Sequence, residues 1–174
     1  RYGGLRVRLL GKLRNARVTL QLDVGYGDAV TPGPEEAEYP TLLEDMPAPR
    51  LRVYPRASVV AEKLEAIVSL GMGNSRMKDY FDLRAMAREG ALDETLLGEA
   101  IAATFGRRRT AVPDGSPLGL TDEFSRDATK LKQWEAFKTR NRLDAPELAT
   151  VVREICEFLE KPLAVARRLS RATQ

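Results

Sequence analysis

The chain of 174 residues has no histidine and one cysteine, Cys156. A single thiol excludes an intramolecular disulfide and a cysteine zinc cluster, and the lack of imidazole removes the usual zinc sites and the histidine-based triads. Any chemistry must be done by carboxylates, lysine, arginine or hydroxyls. No apolar run approaches the roughly 20 residues that span a bilayer, and no charged, apolar and small-residue leader opens the chain. The expectation is a soluble cytoplasmic protein with no membrane partner. Charge of one sign is lacking too: 28 Lys and Arg against 25 Asp and Glu leave a formal net charge of +3. That balance is too even to argue for nucleic acid by itself. Residue 1 is Arg where an initiating Met would stand, so the expectation is the later portion of a longer protein. What is present, 43% hydrophobic and 30% charged residues, suffices for one domain with its own core and a helical appendage.

Periodicity then divides the chain. Leu5, Val7 and Leu9 alternate with Arg6 and Arg8, and Val18, Leu20, Leu22 and Val24 alternate with Thr19, Gln21 and Asp23, which predicts two amphipathic strands joined near Arg14-Asn15. From Gly25 to about Arg50 the composition shifts to Gly, Pro and acidic residues, neither period survives, and a long surface loop is expected. A short extended piece, Leu51 to Tyr54, precedes Pro55, which is suited to open a helix. Helices are predicted over Ser58–Leu70, Ser75–Arg88, Asp93–Thr104, Thr121–Lys138 and Pro146–Leu159, with Gly71, Gly73, Gly90 and Gly106 as stops and Asp93 and Thr121 as caps. The turn-rich stretch from Gly106 to Leu120 separates a compact first part from a helical tail. The class is α+β: a small antiparallel sheet over residues 1–55 with its long loop, then a helical bundle over 56–174.

Two residues sit inside stripes that should be apolar. At about 100° per residue, Lys63 falls between Val59 and Ile67 on the first helix, and on the second Asp79 points between Leu83 and Met86, with Asp82 at the edge. An unpaired buried charge is costly, so each needs a partner or a watered cleft. The short Gly71-Met72-Gly73-Asn74 connection can fold the two helices antiparallel and bring these faces together. One reading is an ion pair that fixes packing, with the Lys63 stem snorkelling to the surface. The other places both groups beside a phosphate or metal.

Asp23 ends a strand just before the flexible Gly25-Tyr26-Gly27-Asp28 run, a place where sheets display catalytic carboxylates, although a solvated strand residue fits equally. Arg107-Arg108-Arg109 is either a basic cap on a helix C-terminus or a phosphate clamp for nucleotide or RNA. Lys130, Lys132, Lys138, Arg140 and Arg142 around Trp134 and Phe137 would suit nucleic acid, while the spacing of the two aromatics suits a core. The Gly71-Met72-Gly73-Asn74 run lacks the lysine and preceding strand of a phosphate loop and is not one. Cys156, beside Ile155 and Phe158, reads as a small core residue.

Three blocks carry a resemblance: Leu20-Gln21-Leu22-Asp23-Val24-Gly25-Tyr26-Gly27-Asp28, then Val60-Ala61-Glu62-Lys63-Leu64-Glu65-Ala66 after Tyr54-Pro55, then Asn74-Ser75-Arg76-Met77-Lys78-Asp79-Tyr80-Phe81-Asp82-Leu83. In order and spacing they resemble the C-terminal two-thirds of the AbiEii/AbiGii toxin family, in the nucleotidyltransferase superfamily. The resemblance implies a type IV toxin–antitoxin or abortive-infection toxin that transfers a nucleoside monophosphate from a nucleoside triphosphate to an acceptor such as tRNA or another RNA. It implies Mg²⁺ held by carboxylates, of which Asp23 would be one ligand and would help deprotonate the acceptor hydroxyl. It implies Lys63 on the triphosphate, with Arg76 and Lys78 as further phosphate contacts, and Asp79 and Asp82 orienting the lysine or the attacking group. A cognate antitoxin is the implied protein partner. The family's Gly-Ser and Asp-x-Asp blocks are not among these 174 residues. The expectation is therefore a portion that lacks transferase activity and binds metal and nucleotide weakly by itself, with a non-catalytic helical module that binds antitoxin, RNA or another protein as the alternative.

Overall fold

A computed structural model describes residues 3–90 and 92–172. Strands β1 (Gly4–Leu13) and β2 (Ala16–Gly25) pair antiparallel from Gly4 opposite Gly25 to Leu13 opposite Ala16, as the alternation predicts. The turn bends at Arg14, whose φ of 51° is left-handed. This register gathers Leu5, Val7, Leu9, Val18, Leu20, Leu22 and Val24 on one face and the charged residues, Asp23 included, on the other. Both faces are open among the described residues, with Leu20 52% and Leu22 53% exposed.

The stretch expected to be structureless holds a second ladder. Strand β3 (Glu35–Glu38) pairs antiparallel with β4 (Arg50–Val53), setting Glu36 opposite Arg52 and Glu38 opposite Arg50. No hydrophobic period marks β3; opposite charges facing across the strands supply the pairing preference, and Arg50 Nη2 also reaches Glu36 Oε2 at 3.1 Å.

Six α-helices follow among the described residues: α1 (Arg56–Leu70), α2 (Met77–Glu89), α3 (Glu94–Arg108), α4 (Asp122–Arg126), α5 (Ala128–Asn141) and α6 (Leu148–Ala172). No helix is long and apolar enough to cross a membrane among the described residues. Gly71 (φ 49°) and Gly90 (φ 68°) end α1 and α2 with positive φ, Gly90 in the left-handed helical conformation. Asp93 caps α3 through Leu96 N at 2.8 Å. The core gathers Leu64 and Ile67 of α1, Tyr80 and Leu83 of α2, Phe105 of α3, Phe124 of α4, Trp134 of α5 and Ile155 of α6, all fully buried. Tyr80 stacks on Phe124 with ring centres 5.1 Å apart and donates its hydroxyl to Gly119 O at 2.9 Å, which stitches the 106–120 loop to the bundle.

Helix boundaries differ from expectation, most clearly at three places. The single helix predicted over Thr121–Lys138 breaks at Asp127, which leaves the helical region and caps Thr129 N and Lys130 N with its carboxylate. Capping outweighs helical continuation for aspartate. Helix α3 passes Gly106 and stops at Arg109, which itself adopts φ 57°. Helix α6 runs on through Pro162 instead of ending at Leu159. Proline forfeits one backbone bond, and tertiary packing offsets the loss: α6 lies so close to α3 that a Cβ on Gly98 would stand 2.9 Å from Pro162 O and 2.5 Å from Val165 Cβ.

Candidate functional site

The α1–α2 connection is a 3-10 turn over Gly71–Gly73. Asn74 Oδ1 then accepts from Arg76 N at 2.9 Å, and α2 begins. Lysine 130, read from the sequence as a surface cation, is buried instead and donates to Asn74 O at 2.9 Å while its ammonium lies 5.3 Å from the Phe124 ring centre. It anchors the turn from behind. The offset expected for Lys63 and Asp79 is thereby realised as contact. Lys63 Nζ lies 2.8 Å from Asp79 Oδ1 and 2.8 Å from Asp82 Oδ2, with the Asp79 side chain only 4% exposed. Arg76 Nε stands 2.9 Å from Asp79 Oδ2, and Lys78 Nζ 2.6 Å from Asp82 Oδ2. The structure thus brings together five of the six residues singled out from the sequence.

Three cations and two carboxylates leave this cluster with one net positive charge. Burial works against the Lys63 ammonium, but its hydrogen bonds to Asp79 and Asp82 prevail and hold its pKa above the ordinary lysine range. Burial likewise pushes the Asp82 carboxyl up, and hydrogen bonds from Lys63 and Lys78 overcome it, so Asp82 ionises below the usual carboxylate range. An ammonium has three N–H donors. Two are spent on the aspartates, which fixes the direction of the third.

Asp23 is elsewhere. It sits exposed on the hairpin, where Arg6 Nε reaches Oδ1 at 2.6 Å and Arg6 Nη2 and Gln21 Nε2 reach Oδ2 at 3.2 and 3.0 Å. Those bonds lower its pKa, and no hydrogen bond or ion pair joins it to Lys63, Asp79 or Asp82. Mg²⁺ demands octahedral oxygen coordination, usually from one or two carboxylates with water and phosphate. Asp23 offers one carboxylate whose two oxygens already accept bonds, Asp79 and Asp82 are committed to cations, and no group of three or more His, Cys, Asp or Glu residues could hold a metal ion among the described residues. The residues described do not compose a Mg²⁺ site.

Sequence reasoning missed a second network on the other side of α1. Arg108, read as part of a basic cap or clamp, turns inward: Nη1 lies 2.7 Å from Glu65 Oε2, and Nη2 lies 3.5 Å from Glu62 and 3.9 Å from Asp28. Thr110 Oγ1 donates to Glu65 Oε1 and Tyr54 OH to Glu62 Oε1, each at 2.6 Å. Glu65 is buried and lies one position from Leu64 and four from Ala61, so the offset reasoning that singles out Lys63 applies to it as well. Trp134 is core, its Nε1 donating to Pro146 O at 2.9 Å. Cys156 is half-buried with Sγ 3.4 Å from Leu120 O, and burial pushes its thiol up.

An ammonium clasped by two aspartates and flanked by a further arginine and lysine thus sits on helices that follow two small antiparallel sheets, in an α+β protein. The family model described as nucleotidyl transferase AbiEii toxin, type IV TA system, matches residues 1–161. The chain belongs to that toxin family. No curated protein and no solved structure matches it.

Proposed function

We propose that this chain supplies the phosphate-holding half of a nucleotidyl transfer reaction, in which a nucleoside monophosphate passes from a nucleoside triphosphate to a hydroxyl of an acceptor RNA. The acceptor oxygen bonds to the α-phosphorus as the bond from that phosphorus to the bridging oxygen breaks, pyrophosphate leaves and the hydroxyl proton passes to water. Lys63 donates its third N–H to the triphosphate and offsets the charge that grows on the leaving oxygens. Asp79 and Asp82 keep the ammonium charged and aimed, while Arg76 and Lys78 add cations at the edge of the cluster. Positioning and charge compensation carry such a reaction. The Lys63–Asp79–Asp82 geometry is the observation that supports this reading. The reaction would run in the cytoplasm, with an antitoxin as the protein that restrains it.

A packing role for the same three residues is the competing account, and one experiment separates them. In the natural gene product, Lys63→Met combined with Asp79→Asn and Asp82→Asn removes all three charges together, so no buried ion is stranded. The proposal expects a stable protein that no longer transfers α-³²P label from nucleoside triphosphates to RNA and no longer arrests growth. Label transfer and growth arrest at the wild-type level in the triple variant would show that the cluster serves packing alone.

A further inference from the structure

Helices α3 and α6 run in the same direction, since Glu94 meets Lys161 at 2.7 Å near the start of α3 and Gly98 abuts Pro162 and Val165 further on. Their C-terminal ends therefore emerge side by side. Between those ends and the loop that follows α3 opens a cleft of about 710 Å³, floored by Ala102, Ala103 and Val112 and rimmed by Arg107, Arg167 and Arg171. The rim is pre-arranged. Arg167 Nε donates to Pro113 O at 2.7 Å, which fixes the loop, and because a carbonyl is neutral the guanidinium brings its full charge to the cleft. Arg107 Nε donates to Gly27 O at 2.7 Å, linking the cleft to the segment that follows β2. Arg171 pairs with Asp114 at 3.0 Å, with both side chains more than 70% exposed, so this pair is weak and exchangeable.

A volume of this size is that of a small-ligand site. Its floor of short apolar side chains accepts a flat ring, and guanidinium groups both stack on bases and pair with phosphate oxygens. We infer that this cleft binds a nucleotide unit, base against the alanine floor and phosphate among the arginines. The neighbouring Arg108 reaches Glu65 on the side of α1 away from Lys63, so the cleft and the proposed transfer site lie on different sides of α1. The inference rests on the proposed transfer for the role of the bound strand as acceptor, and on the cleft alone for binding. Free nucleotide and single-stranded RNA share this chemistry, and they are separated by test.

Gly106 lines the cleft, and a Cβ built on it meets nothing within 4 Å. Gly106→Phe therefore starts its side chain into open space, takes up part of the cleft and costs nothing in helix propensity. Binding of a fluorescein-labelled oligoadenylate of about 12 nucleotides, within the span typical of single-strand sites, is measured against salt, with ATP as the second probe. Gly106→Phe is expected to weaken the oligonucleotide roughly tenfold while the melting temperature does not fall, and Arg171→Glu to weaken it and flatten the salt slope by about one contact. Weakened ATP binding with unchanged oligonucleotide binding would assign the cleft to free nucleotide. Wild-type affinity for both probes in both variants overturns the inference. The neutral triple variant at Lys63, Asp79 and Asp82 should still bind the oligonucleotide, so a failure of the transfer reading leaves this result standing.

Discussion

Asp23 on the hairpin and Asp79 on α2 are both aspartates held by a cation, yet their surroundings are opposite. The Asp23–Arg6 pair stands in water, its side chains 57% and 59% exposed, whereas Asp79 is 4% exposed beneath Lys63 and Arg76. In water the attraction is screened and each group can be solvated alone. Inside the bundle neither charge survives without its partner. The same residue type is therefore optional to the fold in one region and obligatory in the other, so the two demand different experiments.

The sharpest way to break the contrast is to strand the buried charge. Lys63→Met leaves Asp79 and Asp82 facing an apolar chain, and loss of one partner of a buried pair costs about 3–5 kcal/mol. Arg76 remains 2.9 Å from Asp79, which places the loss toward the lower end. Urea unfolding reads it directly, and Asp79→Asn with Asp82→Asn added should restore most of the midpoint. If the single and triple variants unfold at the same urea concentration, the clamp is not a buried ion cluster.

Titration gives an intermediate effect. The folded-state pKa of Asp82 is lowered, so its stabilisation is present above the unfolded value of about 3.9 and is lost as pH falls through the folded value. Lys63 is raised, so its stabilisation is present below about 10.4 and is lost as pH rises through its folded value. Between those limits Lys63 and Asp82 are both charged, and Asp82→Asn should flatten the acid limb of the stability curve. Asp23 is lowered as well, by exposed partners. Carboxylate NMR in about 1 M salt, where the screening length is about 3 Å, should return Asp23 toward its ordinary value and move Asp82 much less. Equal movement of both would erase the distinction between the regions.

The two regions also differ in how much of them is readable from the sequence. Alternation fixes the strand pair because a one-residue slip would exchange its faces, and helical offsets find Lys63, Asp79 and Asp82 because a charge inside an apolar stripe must be answered. Boundaries set by tertiary contact escape such reading: α6 passes Pro162 because Gly98 of α3 lets the helices meet, and nothing local announces that. Lys130 is hidden for a similar reason, since its acceptor is Asn74 O, 56 positions away. Arg108 looks like a surface basic run until Glu65, itself held by Thr110, pairs with it. The β3–β4 ladder pairs by charge without an apolar period, so period analysis passes it by.

The smallest expected effect completes the comparison. Arg6→Gln removes a hydrogen-bonded ion pair with a 2.6 Å contact, and yet the urea midpoint should not change measurably, because both groups are solvated when apart. The chemical consequence is larger than the energetic one. Freed of Arg6, the Asp23 carboxyl titrates nearer the ordinary value, since that hydrogen bond is the main cause of its lowered pKa. If Asp23 serves the proposed transfer as a carboxylate, Arg6→Gln leaves label transfer intact or faster, while Asp23→Asn abolishes it with no loss of stability. If Asp23 acts only as the mate of Arg6, the two substitutions have the same effect on transfer. Short distance alone therefore does not rank the aspartates: exposure decides which one the fold needs, and the paired substitutions decide which one the reaction needs.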